Sequence, residues 1–134
     1  MILQRSMNGL LSCIKKGYIA ACHDVSEGGL AICLAEMAIG GDCGATVDIS
    51  MVGTRLRIDV KLFSESNTRW VVEVKKEKQS EFEKLLKKEN VQFWVLGTVG
   101  GAHLLIQDEK NTVVDLSVDS LRECWRTPIW KFMG

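Results

Sequence analysis

The chain has 134 residues, 46% of them apolar and 25% charged, with 17 Lys plus Arg balanced by 17 Asp plus Glu. That length suits one domain (1–134) able to bury a core without staples. The zero net charge leaves no electrostatic footprint for nucleic acid or an acidic membrane surface, and no run approaches the roughly 18 apolar residues of a membrane span.

Five cysteines (Cys13, Cys22, Cys33, Cys43, Cys124) are odd in number, widely spaced and form no C-x-x-C pair. Reduced thiols inside apolar runs behave as small hydrophobes, so the pattern predicts a reducing, cytoplasmic compartment rather than a disulfide framework. His23 and His103 are the only histidines and neither has a paired ligand nearby, which argues against zinc.

The first segment, "MILQRSMNGLLSCIKKG", reads as an amphipathic helix rather than a signal peptide. Leu3, Met7, Leu10, Leu11 and Ile14 share one helical face, and Gly17 is a natural stop. "YIAAC" then has the composition of a buried strand and delivers the chain to His23-Asp24. "LAICLAEMAI" (30–39) is a helix apolar nearly all round, which needs cover on both sides, from its own sheet and from something else. Gly40-Gly41 should end it, and "GATVDI" (44–49) reads as a strand. Residues 50–67 mix alternation with helical spacing and stay ambiguous between strand and helix.

"RWVVEVKK" (69–76), bulky and β-branched, predicts a strand. "EKQSEFEKLLKKEN", with Phe82, Leu85 and Leu86 on one face, predicts a surface helix. "QFWVLGTV", "AHLLIQ" and "TVVDLS" read as three strands joined by Gly100-Gly101 and the turn-like "DEKN". A final helix opens on hydroxyl and carboxylate cap candidates and must break near Thr127, before Pro128. Helices and strands mix without a strict βαβ rhythm, so the expected class is α+β, a mixed, largely antiparallel sheet packed with helices.

Two stretches carry chemistry. In "CHDVSEGGL" (22–30) a strand ends, the chain turns and a helix starts at about Glu27 or Gly28. Ser26 is the obvious N-cap. Gly28 and Gly29 are poor helix formers, so either the helix start packs tightly or a ligand or neighbouring chain needs the bare backbone. A helix N-terminus with free N–H groups is an anion site, and Asp24 beside it suits a Mg²⁺ that arrives with phosphate. The alternative is purely structural: Ser26 caps, the glycines allow packing and Asp24 bonds the turn. A His23-Asp24 relay to a Ser26 nucleophile is disfavoured, because adjacent strand residues point to opposite faces. In "LFSESNTRWVVEV" (62–74), Ser64, Glu65, Ser66, Asn67 and Arg69 offer a polar cluster for a phosphorylated or polyhydroxylated ligand, or else a polar turn with a surface ion pair.

Together and in this order, "HDVSEGGLAICLAEMAIGG" and "LFSESNTRWVVEV" resemble the C-terminal domain of the large-subunit (synthase II) type of phosphoribosylformylglycinamidine synthase, within the superfamily of aminoimidazole ribonucleotide synthetase. The resemblance implies an α/β/α arrangement around the mixed sheet. It also implies a place in purine biosynthesis, in a ligase that converts formylglycinamide ribonucleotide to the amidine with ATP, Mg²⁺ and glutamine-derived ammonia. Nothing in the chain resembles that enzyme's ATP-binding domain, so the resemblance implies a final domain that is not competent alone and has no catalytic residue of its own.

Carried over position by position, the resemblance gives Asp24 for the metal and Glu65-Ser66 for the substrate, with Asn67 where the related copy has Gln. Ser26, Gly28, Gly29 and Arg69 join them as ligand- or phosphate-facing residues. Implied partners are the ATP-binding domain of the same enzyme and its glutaminase and small accessory subunits. A domain separated from its partner should expose an apolar face, for which helix 30–39 is a candidate, with a homodimer as one consequence. Two further readings remain: a non-catalytic scaffold of the same fold, and another superfamily member such as aminoimidazole ribonucleotide synthetase.

Overall fold

A computed structural model describes residues 1–133. In chain order the elements are α1 (Ile2–Lys15), β1 (Ile19–Asp24), α2 (Gly29–Gly41), β2 (Ala45–Asp48), α3 (Ile58–Phe63), β3 (Trp70–Val74), α4 (Gln79–Lys88), β4 (Gly97–Val99), β5 (His103–Asp108), β6 (Asn111–Ser117), α5 (Val118–Arg126) and α6 (Pro128–Met133), with a 3₁₀ turn, Lys76–Lys78, before α4. The expected mixed, largely antiparallel α+β class holds. The strands form two hydrogen-bonded groups, the pair β1-β3 and the four-stranded order β4-β2-β5-β6. Among the described residues β2–β5 is the one parallel pairing.

The β1–β3 ladder carries helices on both faces. Val72 and Val74 of β3 join Ile19 of β1 against Cys13 of α1 and Phe82 and Leu86 of α4. Val71, on the alternate face, packs into the larger core, where Leu30, Cys33 and Leu34 of α2 meet Val47, Leu62, Leu104 and Ile106. Helix α2 therefore lies between the ladder and the four-stranded sheet. The cover its all-apolar surface requires comes from within the chain, chiefly from α3 and α5. Leu30, Cys33, Leu34 and Ala38 are buried, so α2 is not the exposed apolar face expected of it.

Helix α1 departs from expectation in the opposite sense. Its buried positions are Gly9 and Cys13, whereas Leu3, Met7, Leu11 and Ile14 remain 42–49% exposed. The small side uses Gly9 for a close approach: a Cβ there would sit 3.0 Å from Val91 Cγ2 and 3.3 Å from Leu86 Cδ2. Gly17, at φ +70°, follows the helix end as expected.

Two other boundaries differ from the local pattern, and the ambiguous stretch 50–67 is resolved. Gly40 and Gly41 lie inside α2, and the left-handed residue that ends it is Asp42 (φ 49°), which also pairs with Arg122 of α5. "QFWVLGTV" yields a strand only over Gly97–Val99. Residues 51–56 are turn and bend, followed by the short α3. The break near Thr127 falls between α5 and α6, and Ser117 caps α5, its hydroxyl accepting the Ser120 N–H at 3.1 Å. Glu109 and Lys110, both at positive φ, make the two-residue hairpin turn between β5 and β6.

Candidate functional site

The ladder joins the two polar stretches. Asp24, the last residue of β1, is in register with Trp70, the first of β3. The pairing continues one step further, where the Val25 N–H donates to the Arg69 carbonyl at 3.0 Å. The turn 25–28 and the loop 64–69 thus leave the same end of the same ladder.

A second link closes the corner. The Gly28 N–H donates to Glu65 Oε1 at 2.9 Å, across 37 residues of chain. Glu65 thereby places a carboxylate at the positive end of α2, where an acidic group is favoured. This corrects the expected role of Ser26. Gly28 occupies the N-cap position in the left-handed region (φ 76°) with no side-chain cap, and Ser26 contributes its carbonyl, which accepts the Gly29 N–H at 3.1 Å.

The glycine pair is explained by this geometry. Gly29 has φ +68°, and a Cβ on it would lie 2.7 Å from Leu62 O and from Phe63 Cα. The bare backbone is thus required by the C-terminal end of α3, which packs directly on the start of α2.

Arg69 is spent on the loop. Its Nη2 donates to Ser64 O and its Nε to Ser66 O at 3.2 Å. The guanidinium holds residues 64–66 in the curve that brings Glu65 over Gly28.

The resulting cleft, about 430 Å³, is lined by Asp24, Val25, Ser26, Glu27, Glu65, Asn67, Thr68, Arg69 and Trp70. Four expected site residues therefore meet in it: Asp24, Ser26, Glu65 and Arg69. Gly28, Gly29 and Ser66 stand behind its wall, where Ser66 serves through its carbonyl. Three carboxylates (Asp24, Glu27, Glu65) against one guanidinium make the lining net negative. Such a lining suits a cation, or a phosphate that brings its own cation, better than a bare anion. Asp24 is exposed and its nearest ionic neighbour is His23 Nδ1 at 3.5 Å. Among the described residues no three His, Cys, Asp or Glu side chains are gathered for a metal.

His23 takes no part in a relay to Ser26. Its Nε2 lies 2.9 Å from Glu36 Oε2 on α2, and its Nδ1 is 2.7 Å from the Asp24 carbonyl oxygen. The thiols nearby are held protonated. Burial, with help from Glu36 and Asp24, pushes the Cys33 thiol up to about 11, and burial with Asp24 raises Cys22. All five cysteines are free.

A larger open groove, about 680 Å³, lies on the other side of α3 between Leu56, Phe63 and Glu109. Four of its five charged side chains are matched in pairs, Arg57 with Asp59 at 2.6 Å and the buried Lys61 with Asp108 at 2.9 Å, which leaves Glu109 alone at its edge. The smaller cleft, where among the described residues Asp24 and Glu27 meet no basic side chain but His23, is the better candidate site. Sequence reasoning passed over the Lys61–Asp108 pair. Lys61 sits in an apolar run, "IDVKLF", and its partner is 47 residues away.

The model of the AIR synthase related protein, C-terminal domain, matches residues 3–107. The chain belongs to that family. Its relatives include the phosphoribosylformylglycinamidine synthase subunit PurL of Alkaliphilus metalliredigens, 40% identical over 123 residues, covering 92% of this chain and 16% of the relative. The PurL subunit of Synechocystis is 40% identical over 119 residues, covering 87% and 15% respectively. The chain thus spans about a sixth of the length of the curated relatives it matches.

The family fold is also that of T. maritima PurL. The structure of PurL complexed with ATP has a TM-score of 0.78 at 20% identity, over 88% of this chain and 21% of that one. The structure of PurLQS from Thermotoga maritima gives a TM-score of 0.79 at 19% identity, over 90% and 21%. Among the described residues no helix is long and apolar enough to cross a membrane.

Proposed function

We propose that this family member is the C-terminal domain of a phosphoribosylformylglycinamidine synthase of the PurL type, supplying one wall of a site that takes a phosphorylated ligand with Mg²⁺. The observation that carries the reading is the meeting of the two polar stretches, 37 residues apart, in one cleft closed by the Glu65–Gly28 bond. In the full enzyme the reaction is the ATP-dependent conversion of formylglycinamide ribonucleotide to its amidine with glutamine-derived ammonia. Mg²⁺, when bound, neutralises phosphate charge. Asp24 holds it, the turn at Ser26 faces the phosphate, and Glu65 and Arg69 keep the two stretches in register. The domain carries no catalytic residue and works only with an ATP-binding domain, alongside glutaminase and small accessory subunits.

The test is a chimera in which this chain replaces the matching segment of the Alkaliphilus subunit, assayed for amidine formation with ammonia, ATP and Mg²⁺. Asp24→Ala should reduce the rate by about 10–100-fold, the scale of weakening the hold on a bound metal. A second reading, a scaffold of the same fold that binds no ligand, has one observation in its favour: Glu65 and Arg69 are already bonded within the chain. Full activity of the Asp24→Ala chimera would establish the scaffold reading. Failure on formylglycinamide ribonucleotide, with activity on the amidine itself, would move the chain to aminoimidazole ribonucleotide synthetase chemistry.

A further inference from the structure

Helix α1 carries a regular apolar stripe, Leu3, Met7, Leu11 and Ile14, each between 42% and 49% exposed. The core beside it is built without that stripe, from Cys13 of α1 with Phe82 and Leu86 of α4. An ordered helix with a contiguous apolar face turned to water marks an interface. We propose that this outward face of α1 is the docking surface for the further polypeptide that the longer PurL relatives carry, and that the face it receives is apolar at its centre and acidic at its rim. The inference rests on the reading of the chain as one domain of such an enzyme, and it names the face by which the domain is seated.

Three observations select this occupant. The matched relatives are about six times longer than their matching segment, so in them this domain is attached to a large remainder. Helix α1 lies inside the family match at residues 3–107 and carries its exposed apolar side chains as one stripe on a single helix. The exposed Leu56 and Phe63 by α3 and Trp94 and Val95 before β4 also lie inside the match but in separate short segments, and Trp125, Ile129, Trp130 and Phe132 on α5–α6 lie outside it. Finally, the charges on and at the end of α1 are Arg5, Lys15 and Lys16, with no carboxylate. Pairing α1 with α1 of a second copy, parallel or antiparallel, sets positive charge against positive charge, which disfavours a homodimer through this face.

Met7 and Met133 provide the readout, since peroxide oxidises methionines according to access. In the isolated chain both are open, at 46% and 77%. In the chimera with the Alkaliphilus subunit, Met7 should oxidise at least about tenfold more slowly than in the isolated chain. Met133 is the second probe: slowing of Met133 with no slowing of Met7 would place the contact on α5–α6 and overturn the proposal. Equal Met7 rates in the two proteins would overturn the proposal. So would concentration-dependent protection of Met7 in the isolated chain that tracks a dimer in sedimentation, since the occupant would then be a second copy.

Leu11→Asp in the isolated chain keeps the proposal testable if the chimera does not fold. Because the stripe is not part of this chain's core, its melting temperature should move by less than about 2 °C, within the range of surface substitutions. A fall of more than about 5 °C would show that the stripe packs inside the chain's own fold and sink the proposal. Asp24→Ala leaves Met7 access unchanged, so loss of the cleft reading and loss of the docking face are separately visible.

Discussion

Gly29→Ala is the sharpest test of the packing argument at the start of α2. The substitution places a Cβ 2.7 Å from Leu62 O and Phe63 Cα, which are backbone atoms that cannot rotate away, at a residue with φ +68°. Holding a non-glycine residue in the left-handed region costs about 1–2 kcal/mol. Forcing the end of α3 outward adds an overpacking cost of about 1–3 kcal/mol. The sum is centred near 3.5 kcal/mol, a large fraction of a domain's stability of about 5–15 kcal/mol.

With a urea slope of about 1.5 kcal/mol/M, the midpoint should fall by about 2 M. Gly40→Ala is the internal control, because nothing lies within 4 Å of its Cβ position and no positive φ is involved. It should raise stability by about 0.5–1 kcal/mol, the helix-interior advantage of Ala over Gly. Urea unfolding followed by far-UV circular dichroism measures both. A Gly29→Ala midpoint within about 0.3 M of the parent would refute the close approach of α3 to α2.

Other consequences follow from the same contacts. Glu65→Ala removes the acceptor of the Gly28 N–H and should cost about 1 kcal/mol in urea unfolding, while Glu65→Gln, which keeps an acceptor, should cost less than half of that; equal losses would show that the bond does not hold the corner. Lys61→Ala leaves the Asp108 carboxylate buried without its cation and should cost about 3–5 kcal/mol, whereas Lys61→Met with Asp108→Leu should recover most of it; thermal melts separate these outcomes. The Ser50 hydroxyl and amide both donate to the Asp48 carboxylate and hold it below its ordinary value of 3.8. A depressed carboxyl stabilises the fold above its unfolded pKa and loses that contribution as pH falls through the folded value. The melting difference between the parent and Ser50→Ala should therefore be largest near neutrality and shrink below about pH 4. The remainder at low pH reflects the Glu109 N–H, which donates to the same hydroxyl at 2.8 Å; a difference that grows on acidification would contradict the assignment.

Much of the fold was legible where local pattern and tertiary packing agree. "RWVVEV" becomes β3, "SEFEKLL" becomes part of α4 with Phe82 and Leu86 buried, and Ser117 caps α5. What misled was periodicity taken as a sign of burial. The apolar stripe of α1 is real, yet the packing against α4 chose Gly9 and Cys13 because small residues allow two helices to approach closely. Ser26 has the right chemistry for a cap, but two successive left-handed glycines redirect the chain so that a distant carboxylate, Glu65, serves the first free amide. The candidate site was partly legible: Asp24, Ser26, Glu65 and Arg69 do line one cleft. Which of their polar atoms are already bonded depends on long-range contacts that no window of sequence contains, as with Lys61 and Asp108.

The position of β2 bears on how the molecule is made. Both of its partners come late: Val47 pairs with Gly97 on one side and Ala45 with Leu104 on the other, about fifty to sixty residues further along. A ribosome adding about 5–20 residues per second emits β2 roughly 3–12 s before its neighbours exist. During that interval Val47 and Ile49, which the finished protein buries, have no strand to join. The ladder of β1 and β3 can form first, so a nascent chain stalled before residue 97 should present a folded corner beside an exposed strand. That strand is the segment on which a holding chaperone or a protease would act during synthesis.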